Sequence, residues 1–128
     1  ELPSIVHSRA YMAAGIQVGP ATIVYPGVVA MTGCSLGCGV LVNAGVTLGH
    51  DVQVGDFSNI GPGASIAGRV VLGNGVLIGI GSTILETCAI GTDARIGAGA
   101  TVISDVPSGA TVVGVPARPI GNSSSSEG

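Results

Sequence analysis

Residues 42–66 read VNAGVT LGHDVQ VGDFSN IGPGAS I when they are divided into groups of six, and this six-residue period runs through most of the chain. Each group begins with an aliphatic residue, and glycine follows it in three of the four. Counting in sixes in both directions extends the pattern from Val6 to Val102, where seventeen successive sixth positions are apolar without insertion or deletion. The residue four places after each of them is small or β-branched. This period is the signature of a parallel β-helix built from hexapeptide repeats.

The six-residue period predicts how the chain coils. Each hexad supplies one short strand and one turn; its aliphatic residue points inward, and a small inward residue fits the corner. Three hexads close one triangular coil of 18 residues. Coils stack at the strand spacing of about 4.8 Å, so nearly six coils would form a prism roughly 27 Å tall. Such columns of small side chains explain how a chain with only 2% aromatic residues could build a core.

The C-terminal part of the chain departs from the repeat. The register fails at Ser108, and the segment SDVPSGATVVGVPARPI carries three prolines. We expect a cap from about residue 103, because the exposed edge of a stack of strands invites further pairing. The predicted organisation is a β-helix domain with its cap over residues 1–120 and a disordered, low-complexity tail over residues 121–128.

The composition argues against several kinds of protein. Four arginines, no lysine and a formal net charge of −3 leave no cluster of cations for nucleic acid. Glycine or a polar residue interrupts every apolar run before the roughly 18 residues of a membrane-spanning helix. Cys34, Cys38 and Cys88 form no C-x-x-C pair and predict reduced thiols in a cytoplasmic protein. Cys34 and Cys88 fall at small inward positions, and Cys38 lacks the neighbouring base that a nucleophile needs.

The stretch VNAGVTLGHDVQVGDFSNIGPGASIAGRVVLGNGVLIGIGSTI, followed by IGAGATVI and GVPAR, resembles one group of left-handed β-helix acetyltransferases. These are the sialic acid O-acetyltransferases and the nucleotide-sugar N-acetyltransferases of the bacillosamine and perosamine type. The resemblance covers Ile5 to Ile120. It implies a left-handed parallel β-helix, a homotrimer with active sites between neighbouring prisms, and acetyl-CoA as co-substrate without a metal. Relatives usually carry an α/β subdomain that binds the nucleotide sugar ahead of the coils.

The same resemblance implies direct transfer of the acetyl group to an amino or hydroxyl group of a sugar, taken to be nucleotide-linked. N- and O-acetylation both remain open. The implied site residues are His50 as general base, Asp51 as the acidic neighbour that raises its basicity, Asn43 near the acceptor, Gly68 with its N–H facing the thioester carbonyl, Ile80 and Ala98 against acetyl-CoA, Asn59 where relatives often carry a second histidine, and Arg118 as a candidate for the CoA phosphates.

The spacing of His50 and Gly68 supports this assignment from the residues themselves. They lie 18 residues apart, one full coil, so Gly68 should stack above the histidine at about 4.8 Å along the axis. Acyl transfer uses both groups: an imidazole can take a proton near neutral pH, and a fixed N–H stabilises the charge on the thioester oxygen. Ile80 and Ala98 are also 18 apart and predict a column along which the pantetheine arm could lie.

Two other functions use the same kind of prism. A γ-type carbonic anhydrase needs three imidazoles on zinc, whereas His7 and His50 are the only histidines and lie more than two coils apart. His7 has no acidic neighbour and is expected to be structural. An ice-binding prism would need threonines repeated along one flat face, and we do not expect the threonines to share a column. A non-catalytic scaffold remains open.

Overall fold

The computed structural model describes residues 2–120, which form nineteen short strands and no helix. None of these residues therefore forms a helix that could cross a membrane. The predicted tail over residues 121–128 lies outside the described part of the chain. The strands are β1 Ile5–Val6, β2 Tyr11–Met12, β3 Gln17–Val18, β4 Ile23–Val24, β5 Val29–Ala30, β6 Ser35–Leu36, β7 Leu41–Val42, β8 Thr47–Leu48, β9 Gln53–Val54, β10 Asn59–Ile60, β11 Ser65–Ile66, β12 Val71–Leu72, β13 Leu77–Ile78, β14 Thr83–Ile84, β15 Ala89–Ile90, β16 Arg95–Ile96, β17 Thr101–Val102, β18 Thr111–Val113 and β19 Arg118–Pro119.

The strands stack into three sheets, which form the three faces of a prism. Face A has the order β1-β4-β7-β10-β13-β16-β18-β19, face B β2-β5-β8-β11-β14-β17, and face C β3-β6-β9-β12-β15. Up to β17 every pairing is parallel and joins residues 18 apart, as in Ser65, which pairs with Thr47 below and Thr83 above. These pairings confirm the predicted all-β solenoid of about six coils. The chain turns from one face to the next at the A/B, B/C and C/A corners.

The core consists of the inward residues of successive coils. The aliphatic residues that begin the hexads are almost fully buried from Val24 onward, with Leu48 only 1% exposed. Three inward corner residues carry hydroxyls, which find partners within the stack. The Ser58 hydroxyl donates to the Gly73 carbonyl at 2.8 Å and accepts from the Val76 N–H at 3.0 Å. Burying this polar side chain therefore leaves no hydrogen-bonding group without a partner.

The last coil is shorter than the others. Val106 bridges to Ile90, and β18 pairs with β16 through Thr111 and Arg95, so both pairs are 16 rather than 18 residues apart. The chain then folds back, and β19 runs antiparallel to β18. This antiparallel strand forms the C-terminal edge of face A.

Face B carries a column of hydroxyl side chains that the sequence analysis did not expect. Thr47, Ser65, Thr83 and Thr101 stand one above another on adjacent strands and point outward. The prediction that the threonines share no column is therefore wrong for Thr47, Thr83 and Thr101, because separations of 18 and 36 residues both return the chain to the same position on one face. The column begins above Val29, its partner on the strand below Thr47.

The three cysteines are free thiols, as the sequence predicts. Cys34 and Cys88 are buried at inward positions, and the loss of solvation on burial raises the pKa of both thiols. Cys38 lies at the C/A corner one coil below Asp56, whose Oδ1 accepts a hydrogen bond from the Cys38 N–H at 3.0 Å. Desolvation and the Asp56 charge raise the pKa of the Cys38 thiol as well. None of the three is therefore poised as a thiolate nucleophile.

Adjacent residues of β13 test the packing of the core. Ile78 points inward and is 3% exposed, whereas Leu77 points outward and is 42% exposed. We expect Ile78→Ala to lower the free energy of unfolding by about 2–5 kcal/mol, because the stack cannot close the cavity. Leu77→Ala should cost about 1 kcal/mol or less. Chemical denaturation of both variants measures the difference, and equal losses would contradict the assigned inward face.

Cys38 offers a test of the C/A corner. Because a negative charge nearby disfavours the thiolate, Asp56→Asn should lower the pKa of the Cys38 thiol and speed its alkylation at pH 8, by about two- to tenfold. Peptide mapping after timed treatment with iodoacetamide measures the rate at each cysteine. Asp93→Asn, at the same corner but about three coils above Cys38, is the matched control and should leave the rate unchanged. An unchanged rate in Asp56→Asn would contradict the assigned contact.

Candidate active site

His50 and Asp51 form a side-chain pair at the B/C corner, between β8 and β9. The His50 Nδ1 lies 3.1 Å from the Asp51 Oδ2, and the two side chains are 49% and 59% exposed. A carboxylate on Nδ1 favours the tautomer that carries its proton there, which leaves Nε2 as the acceptor. Asp51 has φ 58°, in the left-handed region that aspartate tolerates better than most residues. The corner thus presents an oriented imidazole to solvent.

Gly68 lies directly over this imidazole, as the 18-residue spacing predicts. A Cβ built on Gly68 would lie 2.7 Å from the His50 Nε2 and about 3 Å from its two neighbouring ring carbons. The absence of a side chain therefore makes room for the ring. Within residues 2–120 no hydrogen bond uses the Gly68 N–H, whereas the next N–H, from Arg69, donates to the His50 carbonyl at 2.8 Å. The glycine that packs against the imidazole thus carries an N–H without a partner in the described residues.

Asn43 and Asn59 are joined to each other on the other side of β8. Asn43 lies at the A/B corner, and its Nδ2 donates to the Asn59 Oδ1 at 3.0 Å and to the Ile60 carbonyl at 2.8 Å. The two amides are therefore oriented, and the Asn59 NH₂ group remains as a donor. Since Asn43 precedes β8 and His50 follows it, face B separates the two pairs.

Ile80, Ala98 and Arg118 lie apart from His50. Ile80 and Ala98 stack at the A/B corner, where the Gly99 N–H donates to the Ile80 carbonyl at 2.8 Å, and Ile80 is 63% exposed. Arg118 lies on β19 at the end of face A. One chain thus brings the eight predicted site residues together in two groups: His50, Asp51 and Gly68 at the B/C corner, and the other five around face A and the A/B corner.

A shallow groove on face B extends from the His50 corner. Its volume is about 310 Å³, its surface is mainly apolar, and its lining includes Thr47, Ser65 and Thr83 together with Met31 and Leu85. The groove also reaches the backbone next to His50. The sequence analysis missed it, although the 18-residue spacing of the hydroxyl residues was a signal that could have shown it.

An ion pair that the sequence analysis also missed lies next to Gly68. The Arg69 Nη2 is 3.5 Å from the Glu86 Oε2, and both side chains are more than half exposed. Arg69 lies one coil above Asp51, and Glu86 one coil above Gly68. Exposed pairs of this kind contribute about 0–1 kcal/mol to stability, so this one affects the charge around the corner more than the fold.

The described part of the chain offers no set of side chains that could bind a metal ion. Among residues 2–120, no group of three or more histidine, cysteine, aspartate or glutamate side chains is placed to hold a metal ion. His7 lies at the first A/B corner, where its Nδ1 accepts a hydrogen bond from the Arg9 N–H at 3.0 Å. The imidazole of His7 thus has a local structural partner.

Solved structures of sugar N-acetyltransferases are similar to this chain. PerB from Caulobacter crescentus, in complex with CoA and GDP-perosamine, is 29% identical over 94% of this chain and 58% of its own, with a TM-score of 0.93. The acetyltransferase domain of PglB from Neisseria gonorrhoeae FA1090, in complex with acetyl coenzyme A, is 34% identical over 93% of this chain and 58% of its own, with a TM-score of 0.91. The chain thus spans less than two thirds of the length of these relatives.

Structures of perosamine N-acetyltransferase from Caulobacter crescentus with one histidine replaced by asparagine or alanine, 28% identical to this chain, also contain CoA and GDP-perosamine. No curated protein matches the chain. The model of the bacterial transferase hexapeptide family (six repeats) matches residues 33–68 and 69–104, which together are more than half of the sequence. The chain therefore belongs to the bacterial transferase hexapeptide family.

Proposed function

We propose that this chain transfers an acetyl group from acetyl-CoA to an amino or hydroxyl group of a sugar, taken to be nucleotide-linked, with His50 as general base. The observation that carries the proposal is the arrangement at the B/C corner. An imidazole held by Asp51 at 3.1 Å packs against Gly68, whose N–H has no partner between residues 2 and 120. The CoA, acetyl-CoA and sugar-nucleotide ligands of the similar enzymes support the substrate class.

The geometry supports a direct transfer. Asp51 keeps the proton of the imidazole on Nδ1, so the His50 Nε2 removes a proton from the amine or hydroxyl as that group attacks the thioester carbon. The Gly68 N–H donates to the carbonyl oxygen while negative charge develops there. When the tetrahedral intermediate collapses, the carbon–sulfur bond breaks, and the departing thiolate of CoA takes the proton from His50. The high pKa of the cysteine thiols fits a route without an acyl-enzyme.

A complete site of this kind needs a second copy of the chain. His50 and Gly68 lie at one corner, whereas Ile80 and Ala98 lie at another, and the groove between them is too shallow to enclose a drug-sized ligand. In the proposed homotrimer, the B/C corner of one copy faces the A/B corner of its neighbour. Acetyl-CoA then runs along the Ile80–Ala98 column of the neighbour, and Arg118 contacts its phosphates.

In this homotrimer the acceptor binds beside the asparagines of the neighbouring copy, whose A/B corner faces His50. Asn43 is oriented by its bonds to Asn59 and to the Ile60 carbonyl, and the Asn59 NH₂ can donate to the acetyl group or to a sugar hydroxyl. Asparagine replaces the second histidine of many relatives here. Asn59 can therefore still make a hydrogen bond at this position, but unlike a histidine it cannot accept or release a proton there. The free cysteines support a cytoplasmic location, which we also propose.

The two histidines of the chain provide the test of this function. We expect His50→Ala to lower the rate of acetyl transfer by about 10²- to 10⁴-fold, because it removes the general base. His7→Ala should keep the wild-type rate, since the one hydrogen bond of the His7 ring within residues 2–120 is to the Arg9 N–H of its own turn. The measurement is thiol release from acetyl-CoA with a panel of free and nucleotide-linked amino sugars, with each acetylated product identified by mass spectrometry.

Two results would contradict the proposal. If His50→Ala were as active as His7→Ala, His50 would have no part in the acetyl transfer. A trimeric wild type that releases no thiol with any sugar of the panel would favour a non-catalytic scaffold.

A further inference from the structure

Gly33 lies one coil below Asp51, and the Asp51 carboxylate occupies the space directly above this glycine. The Asp51 N–H donates to the Thr32 carbonyl at 2.9 Å, which holds Asp51 directly over the Thr32–Gly33 turn. A Cβ built on Gly33 would overlap the Asp51 Oδ1 and lie 3.0 Å from its Cγ. The carboxylate thus rests where any other residue would place its side chain.

This position of Asp51 is coupled to His50. While one carboxylate oxygen lies over Gly33, the other lies 3.1 Å from the His50 Nδ1. The only side-chain partner of Asp51 among residues 2–120 is His50, and the aspartate side chain is 59% exposed. Nothing else in the described chain fixes the carboxylate, and its two oxygens move together. A group that displaces Oδ1 therefore also displaces the oxygen that holds the imidazole.

We propose that Gly33 is a positioning residue for the His50–Asp51 pair. The inference rests on the proposed function for its catalytic consequence, but the positioning itself is a property of the pair. With a side chain at position 33, the carboxylate turns away from Nδ1, and the proton of the neutral imidazole distributes over both nitrogens. The fraction of His50 with a free Nε2 falls, and acetyl transfer slows while the binding of acetyl-CoA is unchanged.

Glycine below aspartate also occurs where there is no histidine. At the C/A corner the Asp93 Oδ1 lies over Gly75 in the same manner, and Gly75 has φ 65°. An aspartate over a glycine is therefore a way of packing successive coils that this fold uses at more than one corner. Gly33 differs because an imidazole lies beside the carboxylate above it. Gly15 provides a second comparison: it lies one coil below Gly33 in the same column, with φ 83° against 85°, and a Cβ there would meet nothing within 4 Å.

The experiment compares Gly33→Ala with the matched controls Gly15→Ala and Gly75→Ala. All three place alanine in the left-handed region and should lower the melting temperature by similar amounts. Only Gly33→Ala should change the long-range ¹H–¹⁵N spectrum of the His50 ring from the Nδ1–H tautomer toward a mixture. Only this variant should lower kcat for acetyl transfer, by about 10- to 100-fold, with the KM for acetyl-CoA unchanged. His7→Gln in every variant leaves a single imidazole in the spectrum.

Combination with Asp51→Ala completes the test. If Gly33 acts through the carboxylate, Gly33→Ala should have no further effect on kcat or on the His50 spectrum in the Asp51→Ala background. Gly33→Asn repeats the test with a residue that tolerates the left-handed region and still carries a Cβ. This variant preserves the test if Gly33→Ala does not fold.

The outcomes separate this inference from the proposed function. If the wild type transfers acetyl groups but Gly33→Ala matches Gly15→Ala in spectrum and kcat, the positioning role is wrong and the function stands. If the wild type transfers none and the His50 spectrum still changes in Gly33→Ala alone, the positioning role stands and the function is wrong. Equal effects of Gly33→Ala with and without Asp51 would also overturn the inference.

Discussion

Parallel backbone hydrogen bonding between coils is the constraint on which the rest of the molecule depends. At the His50 corner the bonds run from the Gly49 N–H to the Ile66 carbonyl at 2.7 Å and from the Arg69 N–H to the His50 carbonyl at 2.8 Å. Such bonds fix both the height of a coil and its rotation, so residues 18 apart stand above one another. The core follows from this spacing, because the inward residues of one coil stack on the inward residues of the next. The candidate site follows from it too, because a base and an amide in successive coils meet without any long-range loop.

The corners are where this fold can place chemistry. Asp51 occupies a turn position that requires a left-handed backbone. At the equivalent position of the A/B corner, glycine is found in every coil from Gly27 to Gly99. At the His50 corner the same column holds Asp51, Arg69 and Thr87, with φ of 58°, 61° and 62°. Left-handed residues other than glycine cost on the order of 1 kcal/mol or more each. The fold bears this cost in three successive coils, and the first of these residues, Asp51, contacts the imidazole through its carboxylate.

Much of the fold could be predicted because a single period sets it. The hexads alone predict the three faces, the inward residues and the stacking of Gly68 on His50. The shortened last coil could not be predicted, because its 16-residue pairings begin where the aliphatic register ends, and proline-rich sequence does not specify a new period. The hydroxyl column of face B was readable in the sequence but was overlooked, since Thr47 and Thr83 are two coils apart with a serine between them.

The candidate site was predicted less completely. Spacing places two residues in one column, but it does not show how a side chain turns within the corner. The position of the Asp51 carboxylate over Gly33 and the hydrogen bond between Asn43 and Asn59 both depend on such side-chain orientations. The 18-residue spacing also places Ile80 and Ala98 in one column, but it does not show how far that column lies from His50. The structure shows that the two groups lie at different corners, which is why the proposed site requires a neighbouring copy.

A crystal structure of the assembled protein with acetyl-CoA tests the central claim most directly. The account predicts a thioester carbonyl oxygen about 3 Å from the Gly68 nitrogen, with the His50 Nε2 facing the thioester carbon and the pantetheine arm along Ile80 and Ala98 of a neighbouring copy. A thioester bound away from the B/C corner, or a Gly68 amide that points into the coil instead of toward the ligand, would contradict it.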